Sequence, residues 1–155
     1  MSIPSQLESA LTQSHVNFSP LVHLPTYGTQ YAAAMMHVSG NDVAKSVVLR
    51  TAKTYFLVVL PAPYRIDFEK LAEIVGGGVY LVDEEECNKL FPDCEAGAIP
   101  AFGELYQLPV YLDSSLAHDL HLVLNAGTRA DAIRMTSGDF IRMVKPKVCS
   151  FAEKL

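Results

Sequence analysis

A single α/β domain, with a curved, mostly antiparallel sheet or partial barrel flanked by helices, is the fold class predicted for this chain of 155 residues. Three observations predict it. Apolar residues recur every second position in some stretches and every third or fourth in others, so strands and helices are both present. Glycine, proline, asparagine and aspartate clusters separate these stretches without a linker, internal repeat or low-complexity tract, so residues 1–155 read as one domain. Finally, 50% of the residues are hydrophobic and only 19% are charged, which at this length supplies a dense core without disulfide staples.

The elements follow in chain order. Ile3, Leu7, Ala10 and Leu11 lie at helical spacing, and Pro4 suits a first turn, so the spacing predicts a helix over Pro4 to His15. Val16 to Leu24 predicts a strand, and Pro20 within it demands an edge position or a bulge. Pro25 to Thr29 is a turn cluster. Beyond it Tyr31, Ala34, Met35 and Val38 mark one stripe of a second helix ending near Gly40. Lys45 to Arg50 and Tyr55 to Leu60 predict a hairpin about Thr51–Thr54, the second strand apolar on both faces and therefore central.

After the break at Pro61-Ala62-Pro63, Asp67 can cap a helix with Phe68, Leu71, Ala72 and Val75 on its core side. Gly76-Gly77-Gly78 ends that helix; it lacks the lysine and the strand-before-helix order of a phosphate loop. Val79 to Val82 predicts a short strand, and Asp83 with Glu86 resembles a capping box for a helix to about Phe91. Gly97 to Gly103 is an apolar loop of glycine and proline that holds a fixed backbone shape. Two strands follow, around Val110 and Leu112 and around Leu120, Leu122 and Leu124. The Asn125-Ala126-Gly127-Thr128 turn leads into a strand over Ala132 to Met135, and Thr136 or Ser137 caps a last helix stopped by Pro146.

Charge narrows the partners. The net charge of −5 argues against indiscriminate nucleic-acid binding, and no DNA partner is expected. Its distribution is uneven: Asp83 to Glu95 holds six acidic residues against Lys89, whereas Arg129, Arg134, Arg142, Lys145 and Lys147 cluster late in the chain. No apolar run approaches the roughly 18 residues of a membrane span, so no membrane partner is expected. The N-terminus lacks the basic and apolar regions of a signal peptide and the three cysteines form no even framework, so the expected compartment is cytoplasmic.

The candidate chemistry centres on Lys45. Strand alternation puts Lys45, Val47 and Leu49 on one face and Ser46, Val48 and Arg50 on the other. Desolvating an ammonium is costly, so Lys45 either snorkels to the rim or meets a substrate anion. A zinc site is not expected from Cys87, Cys94, His118 and His121, whose spacings are wrong for one. No Gly-x-Ser-x-Gly and no local signature of a cysteine nucleophile occur. Asp113 can cap the following turn through Ser114 or Ser115, and Asn125 can stabilise a left-handed turn.

Four segments in order carry a resemblance: Val43-Ala44-Lys45-Ser46-Val47-Val48-Leu49; Phe91 to Gly103, with Gly97-Ala98-Ile99-Pro100-Ala101-Phe102-Gly103 at its end; Pro109-Val110-Tyr111-Leu112-Asp113; and Asn125-Ala126-Gly127. Together they resemble the landmarks of the YbaK-like family, the editing domain inserted into or standing beside bacterial prolyl-tRNA synthetases. The resemblance runs from about His23 to the last helix and implies the YbaK-like fold. It implies hydrolysis of the ester joining a wrong amino acid, a small one such as alanine or cysteine, to the 3′ end of tRNA. The implied partners are mischarged tRNA and, further, an aminoacyl-tRNA synthetase; no metal or organic cofactor is implied. By this resemblance the catalytic set is Lys45, Gly97, Ala98, Gly103 and Asp113, with backbone N–H groups of Gly97, Ala98 and Gly103 facing the developing oxyanion. The substrate-binding set is Ser46, Ile99, Pro100, Phe102, Asn125, Gly127 and Arg129, with Pro100 holding the loop and Phe102 walling the pocket. Arg129, Arg142 and Lys145 are candidates for acceptor-stem contacts. Relatives often carry a second proline at Ala101, and an acidic residue and a histidine where Asn125 and Arg129 stand here. The other class of function is a non-catalytic module on the same fold that binds a tRNA end, a nucleotide or a synthetase.

Overall fold

The computed structural model describes residues 3–23 and 42–155. The predicted turn at Pro25–Thr29 and the helix carrying Tyr31, Ala34, Met35 and Val38 lie outside the described residues. Helix α1 (Ser5–Gln13) starts after Pro4 and buries Leu7 and Leu11. Strand β1 (Phe18–Val22) contains Pro20, which is tolerated because the strand pairs on one side only, with β8 (Asp131–Thr136). β8 also pairs with β7 (His121–Asn125), completing a three-stranded antiparallel sheet.

The second sheet has five strands in the order β5-β2-β3-β6-β9: β2 (Ala44–Arg50), β3 (Tyr55–Pro61), β5 (Tyr80–Leu81), β6 (Val110–Asp113) and β9 (Lys147–Cys149). The hairpin β2–β3 and the central place of β3 follow the sequence pattern. β3–β6 and β6–β9 are parallel. These connections contain helices, as parallel pairs require: α2 (Phe68–Val75) and α3 (Glu84–Leu90) before β6, and α4 (Ser114–Ala117) and α5 (Ser137–Val144) before β9. A small third sheet pairs β4 (Tyr64–Ile66) with β10 (Ala152–Lys154). Among the described residues the two larger sheets are joined by one isolated parallel bridge, Val43 to Val123.

Local chemistry ends the helices as the sequence indicates. The Asp67 side chain accepts the Lys70 N–H, Asp83 accepts the Glu86 N–H and Thr136 accepts the Asp139 N–H. Glu86 does not complete a capping box, because its carboxylate takes the Tyr55 hydroxyl instead. Gly76 closes α2 in the left-handed conformation, φ 79°.

The five-stranded sheet separates two apolar clusters. Leu57 and Val59 face the larger one, with α1, α5, Ile99, Phe102 and the inner face of β7. Phe56, Val58 and Leu60 face the smaller one, closed by Leu71 of α2 and Phe151. A third cluster of Val43, Ala62, Val123 and Ala132, with Leu21 against it, lies at the seam between the sheets.

Candidate active site

Lys45 sits second in β2, directly opposite Leu60 of β3 and two residues past the seam bridge at Val43. Because that bridge is parallel, β2 and β7 advance together from it, and Lys45 runs toward the Asn125 end of β7. Alternation gives Lys45 the face of Val43 and Asn125 the face of Val123, and both valines belong to the seam cluster. The lysine is half-buried and, among the described residues, has no hydrogen bond or ion pair. Burial pushes its pKa below the usual lysine value. Ser46 has the opposite face, beside Val48 of the larger cluster.

The loop before β6 is fastened to the end of β7. Gly127 N–H donates to the Ala98 carbonyl at 3.0 Å, and Glu95 N–H donates to the Gly127 carbonyl at 2.7 Å. The Glu95 carboxylate accepts the Arg129 N–H at 2.9 Å, and Arg129 Nη2 lies 3.8 Å from its other oxygen. Thr128 Oγ1 donates to Asp131 and accepts the Ala130 N–H, closing the turn from within. Gly127 is buried with φ 91°, and a Cβ there would stand 2.5 Å from Pro4 Cδ. No other residue fits both the dihedral and the space. Gly127, Arg129 and the Gly97 loop are thus fastened together although about thirty positions apart in sequence, and the bridge from Val43 to Val123 sets the start of β2, which carries Lys45, alongside β7.

Within the loop, the Ala98 N–H donates to the Glu95 carbonyl at 3.2 Å, a reverse turn in which Gly97 holds φ 80°. Ala98 therefore has no spare N–H for an oxyanion, which corrects the expectation for that residue. Gly97 is exposed at the crest, and its N–H has no acceptor among the described residues. Gly103 is also corrected: it is buried, and a Cβ would come within 2.6 Å of Val110 Cγ2 and 2.8 Å of the Leu108 carbonyl, so its role is close packing. Phe102 has 0% exposure and packs edge-on against Phe140 at 5.6 Å, so it is core rather than pocket wall. Pro100 is buried beside it.

Asp113 departs furthest from its expected catalytic role. It is 3% exposed, and its carboxylate accepts the N–H groups of Phe151 at 3.0 Å, Ala152 at 2.9 Å and Ser115 at 3.2 Å, together with the Ser115 hydroxyl. A carboxylate so occupied ties β6 and α4 to the chain entering β10. It has no capacity left for a substrate proton.

Cys94 is equally unsuited to attack an ester. Burial pushes its thiol up to about 12, and it contacts the Tyr106 hydroxyl at 3.4 Å and Asp93 at 3.5 Å. Among the described residues no group of three or more His, Cys, Asp or Glu side chains converges as metal ligands would. Beside the loop, a cleft of about 270 Å³ is lined by Val82, Glu84, Cys87 and Asn88 on one wall and Ala96, Gly97 and Ile99 on the other. Sequence reasoning missed the role of Glu95 and this cleft; the signal of the first is an acid two residues before the loop glycine, the last of the six between Asp83 and Glu95.

Residues 23–143 match the family model described as the aminoacyl-tRNA editing domain. The chain is 23% identical over 152 residues to the multifunctional Ser/Thr-tRNA deacylase ProXp-y of Escherichia coli (strain K12), covering 94% of this chain and 90% of that protein. Among solved structures it is similar to a candidate trans-editing enzyme for prolyl tRNA synthetase (TM-score 0.84, 24% identity, 96% of each chain). It is also similar to a hypothetical protein, APE2540 (TM-score 0.87, 19% identity, 96% of this chain and 99% of that one). These two likenesses show the fold.

Proposed function

The chain belongs to the aminoacyl-tRNA editing domain family, and on that premise we propose that it hydrolyses the ester joining a small, wrongly attached amino acid to the 3′ end of a tRNA. The observation that carries this reading is Lys45: a half-buried cation with no counter-ion among the described residues, two residues past the bridge that joins β2 to β7, the strand whose Asn125 turn is fastened to the Gly97 loop. Such a group stabilises an anion brought from outside.

The aminoacyl ester is already activated, so the protein chiefly positions it and lets water in. Water attacks the acyl carbonyl, and the Gly97 N–H, held outward by the reverse turn, donates to the oxygen as it gains charge. The ester C–O bond then breaks, releasing the free amino acid, and the tRNA 3′ oxygen takes a proton derived from water. Lys45 supplies positive charge to the ester or to the terminal phosphate and need not act as a base. Arg129, anchored on Glu95, and Asn125 flank the same turn as substrate-binding groups, and Ser46 and Ile99 complete that set. A synthetase remains a candidate partner, as the trans-editing neighbour suggests.

Alanine and cysteine are the acyl groups proposed, and a size-selecting pocket suits them because synthetases discriminate poorly by one methylene. The E. coli relative is named for seryl and threonyl substrates. The test is therefore release of labelled amino acid from alanyl-, cysteinyl-, seryl- and threonyl-tRNA, with Lys45→Ala beside the wild type. Lysine-dependent release from one member names the acyl group. No release from any member, with tRNA still bound, overturns hydrolysis in favour of a non-catalytic module.

A further inference from the structure

Glu95 fastens the Gly97 loop to the turn after β7, but a second set of contacts, two residues earlier, serves no step described so far. One Asp93 carboxylate oxygen accepts the Tyr106 hydroxyl at 2.9 Å, and the other accepts the Gln6 carboxamide of α1 at 2.8 Å. The Tyr106 ring lies against Phe91, with centroids 4.4 Å apart. Cys94 stands between this group and the turn after β7: its Sγ is 3.4 Å from the Tyr106 hydroxyl, and a Cβ at Gly127 would stand 3.5 Å from it. Partial burial raises the Asp93 pKa, but the Gln6, Tyr106 and Cys94 donors outweigh it and hold the carboxylate below its usual value. Burial first, then Cys94 and Asp93, push the Tyr106 pKa up, so the phenol keeps its proton to donate. The contact is therefore a charge-assisted hydrogen bond, stronger and more directional than one between neutral groups. An ionised group here, beside the buried Phe91 and Cys94 of the larger cluster, carries a desolvation cost that an apolar side chain would avoid. Direction is what the carboxylate adds.

We infer that Asp93 is a positioning residue for the proposed hydrolysis, acting through Tyr106 on the placement of the Gly97 N–H. The inference rests on the deacylase reading. Asp93 precedes the Gly97 loop and Tyr106 ends the short 3-10 turn Gly103–Tyr106 that follows it, so their hydrogen bond closes the loop at its base. The reverse turn from Glu95 to Ala98 holds the Gly97 N–H outward, and the bond between Gly127 and Ala98 ties that turn to the end of β7. Those contacts fix the middle of the loop and leave the chain entering and leaving it free to tilt. The Asp93–Tyr106 bond removes that freedom, and Gln6 refers the base of the loop to α1. A shift of about 1 Å in a positioned donor costs up to about a hundredfold in rate. A tilt of the loop should therefore appear in the chemical step and leave tRNA affinity alone.

The test compares wild type with Tyr106→Phe, Asp93→Ala, Asp93→Asn and the double variant Asp93→Ala/Tyr106→Phe. Tyr106→Phe removes one hydroxyl and keeps the ring on Phe91, so it preserves the packing. Single-turnover release of amino acid from the tRNA that wild type deacylates should slow about tenfold in Tyr106→Phe and in Asp93→Ala, with tRNA affinity unchanged. The double variant should be no slower than the slower single one, because both changes break the same bond. Asp93→Asn keeps an acceptor for Tyr106 and should recover most of the rate. Amide hydrogen exchange supplies a readout apart from activity: the Ala98 and Gly127 N–H groups should exchange about tenfold faster in Tyr106→Phe, while those of β3 keep the wild-type rate. Wild-type turnover in Tyr106→Phe, loop amides that exchange as in wild type, or a slower rate explained by weaker tRNA binding would each overturn the inference. If wild type itself releases no amino acid, the deacylase reading fails and this role for Asp93 in hydrolysis fails with it. The exchange rates then still report whether Asp93 and Tyr106 hold the loop.

Discussion

Glu95 holds Arg129 twice over, accepting its backbone N–H at 2.9 Å and lying 3.8 Å from its guanidinium, while the Glu95 N–H grips the Gly127 carbonyl at 2.7 Å. One acidic residue thus spans the gap between two segments that are thirty-four positions apart. It fixes the turn that carries Asn125 relative to the loop that carries Gly97.

Glu95→Ala is expected to remove most of the deacylase rate and to lower stability by about 1–2 kcal/mol, the cost of leaving a partly buried N–H without its charged acceptor. Glu95→Gln keeps an acceptor for the Arg129 N–H and should recover much of the stability but less of the rate. Denaturant unfolding and single-turnover deacylation, measured on both variants, check the two halves. Equal rates for wild type and Glu95→Ala would remove Glu95 from the positioning of the site.

Lys45→Ala should abolish deacylation with the fold intact, and Lys45→Arg should keep a small fraction. The pH dependence has a definite sign. Burial lowers the lysine's folded pKa from 10.5, so folding disfavours its charged form. That penalty is fully present below the folded value and disappears as pH rises through it toward the unfolded value. An activity that needs the ammonium should fall on the alkaline side earlier than an ordinary lysine would allow, and Lys45→Arg should lack that limb. The profile of kcat/KM against pH measures it.

Asp113→Ala should destabilise the protein by about 3 kcal/mol or more, since Phe151, Ala152 and Ser115 would all lose their buried acceptor. Turnover by the remaining folded protein should stay near that of wild type. A folded Asp113→Asn without activity would return this residue to the catalytic set.

Gly97 and Gly127 separate dihedral strain from lack of space. Both have positive φ, but a Cβ at Gly97 meets nothing, whereas one at Gly127 meets Pro4 at 2.5 Å. Gly97→Ala should cost about 1 kcal/mol of stability. Gly127→Ala should cost about 3 kcal/mol, because backbone and proline ring must both shift. Thermal unfolding of the pair ranks them.

Neutralising Arg142 and Lys145, both exposed at the end of α5, should make tRNA binding less steeply dependent on salt. The slope of log affinity against log salt should fall by about one for each phosphate that no longer meets a cation. An unchanged slope would place the acceptor stem elsewhere.

What the sequence made legible was what short range decides. Asp67, Asp83 and Thr136 each cap a helix through the N–H three residues on, and the alternation of β2 and β3 sets which face each residue takes. β4, β9 and β10 were not legible, because each is three residues long and exists only through a distant pairing partner. The same distinction governs the site. Lys45 and the Asn125 turn stand out locally, but whether Ala98 has a spare N–H or Asp113 a spare lone pair depends on Glu95 and on Phe151, which no local pattern connects to them.

The close approach of Gly127 to Pro4 has a kinetic meaning as well as a steric one. The turn at the heart of the site is backed by the first helix, linked to the loop at Glu95 and set beside the start of β2, so it draws on nearly the full length of the chain. Contacts of such high sequence separation form late, after loop closure has been achieved throughout. A partly folded chain would have strands and caps but no assembled site, and catalytic competence should appear only with the last phase of refolding.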